Sequence, residues 1–379
     1  MLKVIELFSG IGAQREALKR ADIPHEVVAI SEIDKYAIKT YRYLHGWTTN
    51  LGDIKNIREL PNADLWTYSF PCTDISLSGR LKGFEKGSET RSSLLWEVQR
   101  LLEVSKEKGT LPKFLLMENV KNIVSKRFKP LFQEWVDYLS SLGYKSFYQI
   151  LNSKNYGIPQ NRERCFMISV LDYDGDFEFP VPFKLETTLQ DLLEEEVDEK
   201  YYLSEKMIHY ITSNNEKWTG NNNESIINRS IASTITTGEG SKRCDASNYV
   251  SKDFPADFDL KRYLLVNEKT KKGYAVAEAG DGIYINRPHQ KRGTVQKSMV
   301  PTIKASPDIG VVVSNEDSLK VRRLTPRECW RLMGWDGERI DRAFEADCSE
   351  TQYYKMAGNS IVVNVLTRFF ISMKNTFDL

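Results

Sequence analysis

A lone cysteine follows the apolar, aromatic-rich stretch of residues 64–70, directly behind a proline. The sequence there reads DLWTYSFPCTDIS, so a predicted strand ends near Pro71 and presents the thiol of Cys72. The chain has five cysteines, which are far apart and form no C-x-x-C pair, so a disulfide or a zinc site has little support. Two interpretations remain, a buried inert thiol and a nucleophile.

Two glycines lie in a segment that is typical of a strand, a tight turn and a helix, ELFSGIGAQREAL at residues 6–18. Gly10 and Gly12 would let the backbone pass close to a ligand, and the first turn of the helix offers free N–H groups. A dinucleotide-binding fingerprint would place a third glycine where this chain has Arg15. The segment therefore favours a nucleotide-like ligand only slightly over a plain tight turn.

Acidic residues follow the next two predicted elements. Glu32 lies about twenty residues past Gly12, at the end of the second strand, where an acid can bind ribose hydroxyls. Ile33 beside it offers an apolar face to a base, and Asp53 could accept from an adenine amino group. Each acid could also be a solvated loop carboxylate. Because the third glycine that suits a pyrophosphate is missing, S-adenosylmethionine fits this pattern better than NAD.

A cysteine beside a methyl-sulfonium donor suggests chemistry at cytosine. A thiolate that adds to C6 of the ring makes C5 reactive enough to accept a methyl group, and an acid at N3 makes the addition easier. Glu118, in LLMENV, ends another predicted strand and would lie at the same edge as Cys72. Arg162 and Arg164, in PQNRERCF, would lie on one face of an extended segment, where they could pair with Glu118 or hold the base and a phosphate.

The elements that must position these residues alternate between strands and helices in the first half of the chain. Such alternation predicts an α/β fold with a mostly parallel, doubly wound sheet, in which ligands bind beyond the carboxyl ends of the strands. The glycine turn, Glu32, Cys72 and Glu118 would then share one edge. The predicted strands are KVIELF, EVVAISEI, DLWTYSF, KFLLMENV, SFYQIL and RCFMISVL.

The composition changes near residue 185, which predicts three parts. Residues 1–184 form a catalytic domain, residues 185–320 a smaller, irregular β-rich domain, and residues 321–379 a helical segment that returns to the first domain. Residues 284–304 hold five Lys and Arg side chains and no acid. This basic loop region is typical of phosphate contacts, or equally of a solvated surface.

Length and charge narrow the class of protein. The chain has 379 residues, a net charge of +1 and 41% apolar residues, as expected of a globular protein. No apolar run approaches the length of a membrane span, and the N-terminus does not read as a signal peptide. We therefore expect a cytoplasmic protein without a membrane or a metal partner.

Taken in order, the motifs resemble those of the cytosine-C5 DNA methyltransferases. The resemblance covers the first half and the C-terminal segment and leaves the middle uncovered. It implies a Rossmann-like methyltransferase sheet, S-adenosylmethionine as cofactor and double-stranded DNA as substrate. The motifs are ELFSGIGA, SEID, GDI, SFPCTDIS, ETRSSLLWEV, MENV, QNRER, RRLTPREC and AGNSIVVNVL.

The resemblance implies a role for each catalytic position. Cys72 would be the nucleophile, and the backbone carbonyl of Phe70 would face the amino group of the target cytosine. Glu118 would contact N3 and N4, while Arg162 and Arg164 would orient the base and the carboxylate. The S-adenosylmethionine site would be lined by Phe8, Gly10, Ile11, Gly12, Glu32, Ile33, Asp53, Ile54, Leu94, Asn359 and Ile361.

DNA contacts are implied for two regions. The loop after Cys72 matches a mobile segment that closes over DNA once the target base has been extruded from the duplex. The middle domain would be a target-recognition domain. Thr302-Ile303 matches the threonine–aliphatic pair that anchors such a domain, and STITTG at residues 233–238 is a second candidate. The predicted DNA-binding residues are Ser78, Arg80, Arg287, Arg292, Thr302 and Ile303.

Three positions depart from the usual pattern. Ser69 replaces a glycine, Thr73 replaces a glutamine, and Ile33 stands where many relatives have tryptophan. Two alternatives stay open, a relative that acts on transfer RNA and a non-catalytic DNA-binding relative. The segment ECWRLMGW at residues 328–335 lacks the Cys-Phe-Thr signature of the tRNA enzymes, and the intact Cys72 and Glu118 argue against loss of catalysis. A monomer is expected.

Overall fold

The structure is a computed structural model, and it describes residues 1–71, 91–204, 263–270, 273–285, 293–305, 308–315 and 318–379. The chain divides into two compact units. The first consists of Met1–Thr187, Lys304–Ser306 and Pro326–Leu379, and the second consists of Thr188–Ile303 and Pro307–Thr325. The first unit therefore combines the N-terminal half with the C-terminal segment.

A six-stranded sheet forms the centre of the first unit. Its order is β2-β1-β3-β4-β7-β5. Strands β1 to β4 run parallel to one another, whereas β7 is antiparallel to both β4 and β5. The strands are β1 (Leu2–Leu7), β2 (His25–Ser31), β3 (Leu65–Tyr68), β4 (Phe114–Val120), β5 (Tyr144–Asn152) and β7 (Glu163–Leu171), and the short β6 is Gln160–Asn161.

The predicted α/β class is confirmed, with one correction of detail. Five strands run in one direction, since β4 and β5 are both antiparallel to β7, and β7 alone makes the sheet mixed. The central strands β3 and β4 are mostly apolar and buried, as is usual for parallel strands in the middle of a sheet. Every residue of β3 and β4 is buried, so these strands cannot slide without moving the core.

Helices of the first unit flank the sheet and return at the C-terminus. Asp34 begins α2, because its carboxylate accepts from the amides of Tyr36 and Ala37. The main core packs Trp66 and Trp135 between strands and helices. The helices are α1 (Ala13–Arg20), α2 (Lys35–His45), α3 (Leu95–Glu107), α4 (Lys129–Ser141), α5 (Pro326–Arg331), α6 (Gly337–Phe344), α7 (Glu350–Asn359) and α8 (Val363–Phe377).

The C-terminal helices contribute to the core of this unit. Glu350–Phe377 contains a window with the length and apolar composition of a membrane span, but 61% of that window is buried inside the protein. Phe369, Phe370 and Met373 of α8 are each 0% exposed. This burial is what a core helix of a folded protein shows.

The second unit is built from short strands. The order β11-β10-β13-β14 forms one antiparallel sheet, and β8 and β9 form a separate pair. A small core contains Val266, Ile283, Val312 and Val321. The strands are β8 (Leu264–Asn267), β9 (Tyr274–Ala277), β10 (Gly282–Tyr284), β11 (Val295–Gln296), β12 (Val300–Pro301), β13 (Ile309–Asn315) and β14 (Ser318–Arg323).

Candidate active site

The carboxyl ends of four parallel strands meet at one edge of the first unit's sheet. Strands β1, β2, β3 and β4 end there, and the glycine turn, Glu32, Pro71 and Glu118 lie at or just past these ends. Because β7 is antiparallel to β4, it begins at the same edge, and Arg164 pairs with Val120. The fold therefore brings the predicted acid and the R-x-R segment together.

The glycine turn after β1 needs glycine at two positions for different reasons. Gly10 has φ 55° and Gly12 has φ 77°, both in the left-handed region. A Cβ at Gly12 would lie 2.6 Å from the side chains of His45 and Tyr41, whereas a Cβ at Gly10 would meet nothing within 4 Å. Packing beneath the turn thus requires Gly12, and open space lies over Gly10.

Glu32 is locked to this turn by backbone amides. Its Oε2 accepts from the Gly10 amide at 2.9 Å, and its Oε1 accepts from the Ile33 and Asp34 amides at 2.8 Å each. The side chain of Asn50 holds the main chain of Glu32, accepting from its N–H at 3.1 Å and donating to its carbonyl at 3.0 Å. Since each carboxylate oxygen accepts two bonds, Oε2 keeps one position for a ligand.

The remaining predicted cofactor residues differ in exposure. Ile33 is 71% exposed, which is unusual for so large an apolar side chain, while Ile54 is 2% exposed and Ile361 6%. Asp53 caps a short helical turn through Oδ1, which accepts from the Lys55 amide at 3.0 Å. The other members of the predicted set are the half-buried Phe8 and Leu94, the buried Ile11 and the exposed Asn359, the last residue of α7.

Glu118 is buried next to two guanidinium groups. It is 8% exposed, and burial raises the pKa of its carboxyl, while the charges of Arg164 and Arg162 oppose that rise. Arg164 Nε lies 3.3 Å from Glu118 Oε1, within ion-pair distance. No described residue donates a hydrogen bond to this buried oxygen, so the acid retains bonding capacity toward a substrate.

Arg162 fixes the C-terminal segment to the edge of the sheet that carries Glu118. The side chain is buried, 4% exposed, and its Nη2 donates to the carbonyls of Gly358 at 3.3 Å and Ser360 at 2.8 Å. These carbonyls belong to the A-G-N-S stretch that contains Asn359. One arginine therefore lies beside Glu118 and also positions a predicted cofactor segment.

Asn119 was not predicted as a site residue, yet it holds the end of β3. Its Nδ2 donates to the Phe70 carbonyl at 3.1 Å, and its Oδ1 accepts from the Val120 amide at 2.9 Å. This fixes the backbone directly before Pro71. The MENV motif is the sequence signal that could have found Asn119, whereas Asn50 has no comparable signal.

His45 is a second residue that the sequence did not indicate. Arg339 donates to its Nδ1 at 3.3 Å, so Nε2 carries the proton and donates to the Ile11 carbonyl at 3.1 Å. Burial, with the positive charges of Arg339 and Arg15, holds the pKa of His45 well below its ordinary value. A neutral imidazole therefore links the C-terminal segment to the glycine turn.

Glu6 on β1 is a fully buried carboxyl below the same turn. Its Oε1 accepts from the Arg15 amide at 2.9 Å and its Oε2 accepts from the Tyr41 hydroxyl at 2.7 Å. Burial raises its pKa to about 7, although Tyr41 and Arg15 favour the charged form. The acid ties β1 to the first turn of α1.

The structure does not describe all of the predicted site residues. Cys72, Ser78, Arg80, Arg287 and Arg292 lie outside the described residues. In the second unit Thr302 is half-buried and Ile303 is 2% exposed. Among the residues that are described, no group of three His, Cys, Asp or Glu could hold a metal ion.

Comparison with known proteins decides the family. The family model of the C-5 cytosine-specific DNA methylases matches residues 2–375. The chain belongs to this family. It is a DNA cytosine-5 methyltransferase, and the family uses S-adenosylmethionine, which confirms both the predicted activity and the predicted cofactor.

Relatives of this methyltransferase match over nearly the full chain. It is 34% identical to the type II methyltransferase M2.ScrFI of Lactococcus lactis subsp. cremoris, with 98% of both chains covered. It is 32% identical to the orphan methyltransferase M.SPRI of Bacillus phage SPR, covering 99% of this chain and 98% of the relative. The solved structure of S. pombe Dnmt2 shares the fold, with a TM-score of 0.61, 19% identity and 100% of both chains covered.

Proposed function

We propose that this methyltransferase acts through Cys72 and Glu118, with Cys72 as nucleophile at cytosine C6 and Glu118 as proton donor at N3. The observation that supports it best is the buried Glu118, whose Oε1 accepts no hydrogen bond from a described residue at the edge where β3 ends in Phe70 and Pro71. Cys72 follows Pro71 directly in the sequence.

The state of Glu118 suits this role. Because burial raises its pKa, this carboxyl holds a proton more readily than a solvated carboxyl does, and it can donate that proton to N3 as the ring gains charge. Arg164 and Arg162 limit the rise, so the carboxylate that remains after donation is stabilised by nearby positive charge. The Phe70 carbonyl, which accepts from Asn119 Nδ2 at 3.1 Å, would face the cytosine amino group.

The thiol step follows from ordinary cysteine chemistry. Cys72 loses its proton, its sulfur bonds to C6, and electron density shifts to C5 while N3 takes a proton from Glu118. Once C5 carries the methyl group, a base removes the C5 proton. The C6–sulfur bond then breaks, the N3 proton returns to Glu118, and the aromatic ring and the Cys72 thiolate are restored.

The residues of the glycine turn fit S-adenosylmethionine. Space lies open over Gly10, the Ser9 hydroxyl is buried without a hydrogen bond from any described residue, and Ile33 exposes an apolar face for an adenine. Glu32 would accept from the ribose hydroxyls and Asp53 from the adenine amino group. The cofactor supplies an electrophilic methyl group, and the turn orients it.

The substrate is DNA, and the target cytosine lies within a stacked duplex. We propose that the enzyme extrudes this base, at a cost of a few kcal/mol that phosphate contacts offset. The second unit, with Thr302 and Ile303, would select the sequence in the major groove. The enzyme would act inside a bacterial or phage-infected cell, as a monomer on double-stranded DNA.

A trapping experiment tests the nucleophile. Bisulfite mapping of DNA from cells that express the chain first identifies the methylated site. A duplex with 5-fluorocytosine at that site is then incubated with enzyme and S-adenosylmethionine, because fluorine blocks the final elimination. We expect a protein–DNA adduct that survives denaturation for the wild type and none for Cys72→Ala. An adduct of equal yield in the variant would refute the assignment of Cys72 as the nucleophile. Transfer RNA is tested in the same way as the alternative substrate.

Glu118→Gln tests the acid. The amide keeps the shape of the side chain but cannot supply a carboxyl proton, so we expect kcat to fall by about 10²–10⁴-fold. The affinity for S-adenosylmethionine, measured by titration calorimetry, should stay within about twofold, since Glu118 is not part of the glycine turn. A loss of cofactor binding instead would show that Glu118 has a structural role.

A further inference from the structure

A basic segment follows the strand that carries Glu118. Residues 121–129 read KNIVSKRFK, and no acid occurs between residues 119 and 133. The four cations of the segment all have exposed side chains. The chain as a whole has a net charge of only +1, so this is a local concentration of positive charge. The cations are Lys121, Lys126, Arg127 and Lys129.

The segment is held on a fixed backbone. Ile123 and Phe128 are buried in the main core, at 0% and 3% exposure. The Ser125 carbonyl accepts from the amides of Phe128 at 3.0 Å and Lys129 at 2.8 Å, which closes a tight turn between these anchors. The cations therefore project from an ordered surface, and little backbone entropy is lost when they bind a partner.

The charges of this segment are only partly neutralised. Lys121 forms an ion pair with Glu163 at 2.9 Å. Lys126 and Lys129 form no ion pair with any residue that the structure describes. An anionic partner can therefore bind these two side chains without first breaking a bond within the protein.

We infer that Lys126, Arg127 and Lys129 bind phosphate groups of the DNA strand that carries the target cytosine. This inference rests on the proposed function. If the ring nitrogen of the extruded base reaches Glu118, its own strand passes the carboxyl edge of the sheet, and residues 121–129 begin at that edge. Lysine and arginine that contact phosphate release counterions, which makes affinity depend on salt, and they position the duplex without selecting a sequence.

Salt-dependent binding of a labelled, mixed-sequence DNA duplex tests the inference. Affinity is measured by fluorescence anisotropy at a series of salt concentrations for the wild type and two triple variants. The test variant combines Lys126→Ala, Arg127→Ala and Lys129→Ala. The matched control combines Lys106→Ala, Lys108→Ala and Lys113→Ala, three exposed lysines between the end of α3 and the amino end of β4.

Because each neutralised phosphate contributes about 0.9 to the slope of log affinity against log salt, we expect that slope to become shallower by about 2–3 in the test variant. Duplex binding at low salt should weaken at least about tenfold. The control should match the wild type in slope and affinity. Both variants should bind S-adenosylmethionine normally, since neither alters the glycine turn.

The result separates this inference from the proposed function. If the wild type methylates duplex DNA and the test variant keeps the wild-type slope and affinity, the phosphate contacts are overturned and the proposed function stands. If the wild type forms no adduct with the 5-fluorocytosine duplex, the proposed function fails first. An equally shallow slope in the control variant would also refute the inference, because it would show a diffuse charge effect.

Discussion

Replacement of Glu6 by glutamine should change how stability depends on pH. Glu6 is 0% exposed, and burial raises its pKa from 4.5 to about 7 in the folded protein. The folded state therefore holds this proton more tightly than the unfolded state. The contribution of Glu6 to the free energy of unfolding is fully present below pH 4.5 and is lost as the pH rises towards 7. Because one pKa unit corresponds to about 1.4 kcal/mol, the loss should reach about 3 kcal/mol.

Urea unfolding between pH 4.5 and 8, followed by tryptophan fluorescence, measures this effect. Trp66 and Trp135 lie in the core of the same unit and report its unfolding. The free energies of unfolding of wild type and Glu6→Gln should differ by about 3 kcal/mol less at pH 7 than at pH 4.5. Above pH 7 this difference should stay constant. Glu26→Gln, at an exposed position on β2, should run parallel to wild type. Parallel curves for Glu6→Gln as well would show that Glu6 titrates normally and that the argument from burial is wrong.

Two further predictions concern the glycine turn and target choice. Gly12→Ala should destabilise the protein by about 2–4 kcal/mol, because left-handed strain adds to the overlap of its Cβ with His45. Gly10→Ala introduces left-handed strain alone, so it should lower the free energy of unfolding by about 1–2 kcal/mol. It should also raise the KM for S-adenosylmethionine. Equal thermal unfolding of the two variants would contradict the role of packing against His45. Thr302→Ala should broaden the set of methylated sites in a bisulfite map before it lowers kcat, and an unchanged map would place target recognition elsewhere.

The shared edge of the site could be predicted from local pattern. Alternating strands and helices imply parallel strands, and parallel strands bring their carboxyl ends together. This was enough to group the glycine turn, Glu32 and Glu118. The direction of β7 could not be predicted in this way, because an apolar run has the same pattern in both directions.

The supporting contacts depend on residues that are distant in sequence. Asn50 holds Glu32 across 18 positions, and His45 accepts from Arg339 across 294. A sequence shows that a histidine is present but not which side chain approaches it. The raised pKa of Glu118 likewise comes from burial, which only the assembled core creates.

The link from Arg162 to the carbonyls of Gly358 and Ser360 has a consequence for biosynthesis. A ribosome makes these two acceptors almost two hundred residues after the arginine, so a nascent polypeptide lacks both carbonyls until its C-terminal segment has been made. The edge of the sheet that carries Glu118 therefore gains two of its supporting hydrogen bonds only after α7 has been synthesised.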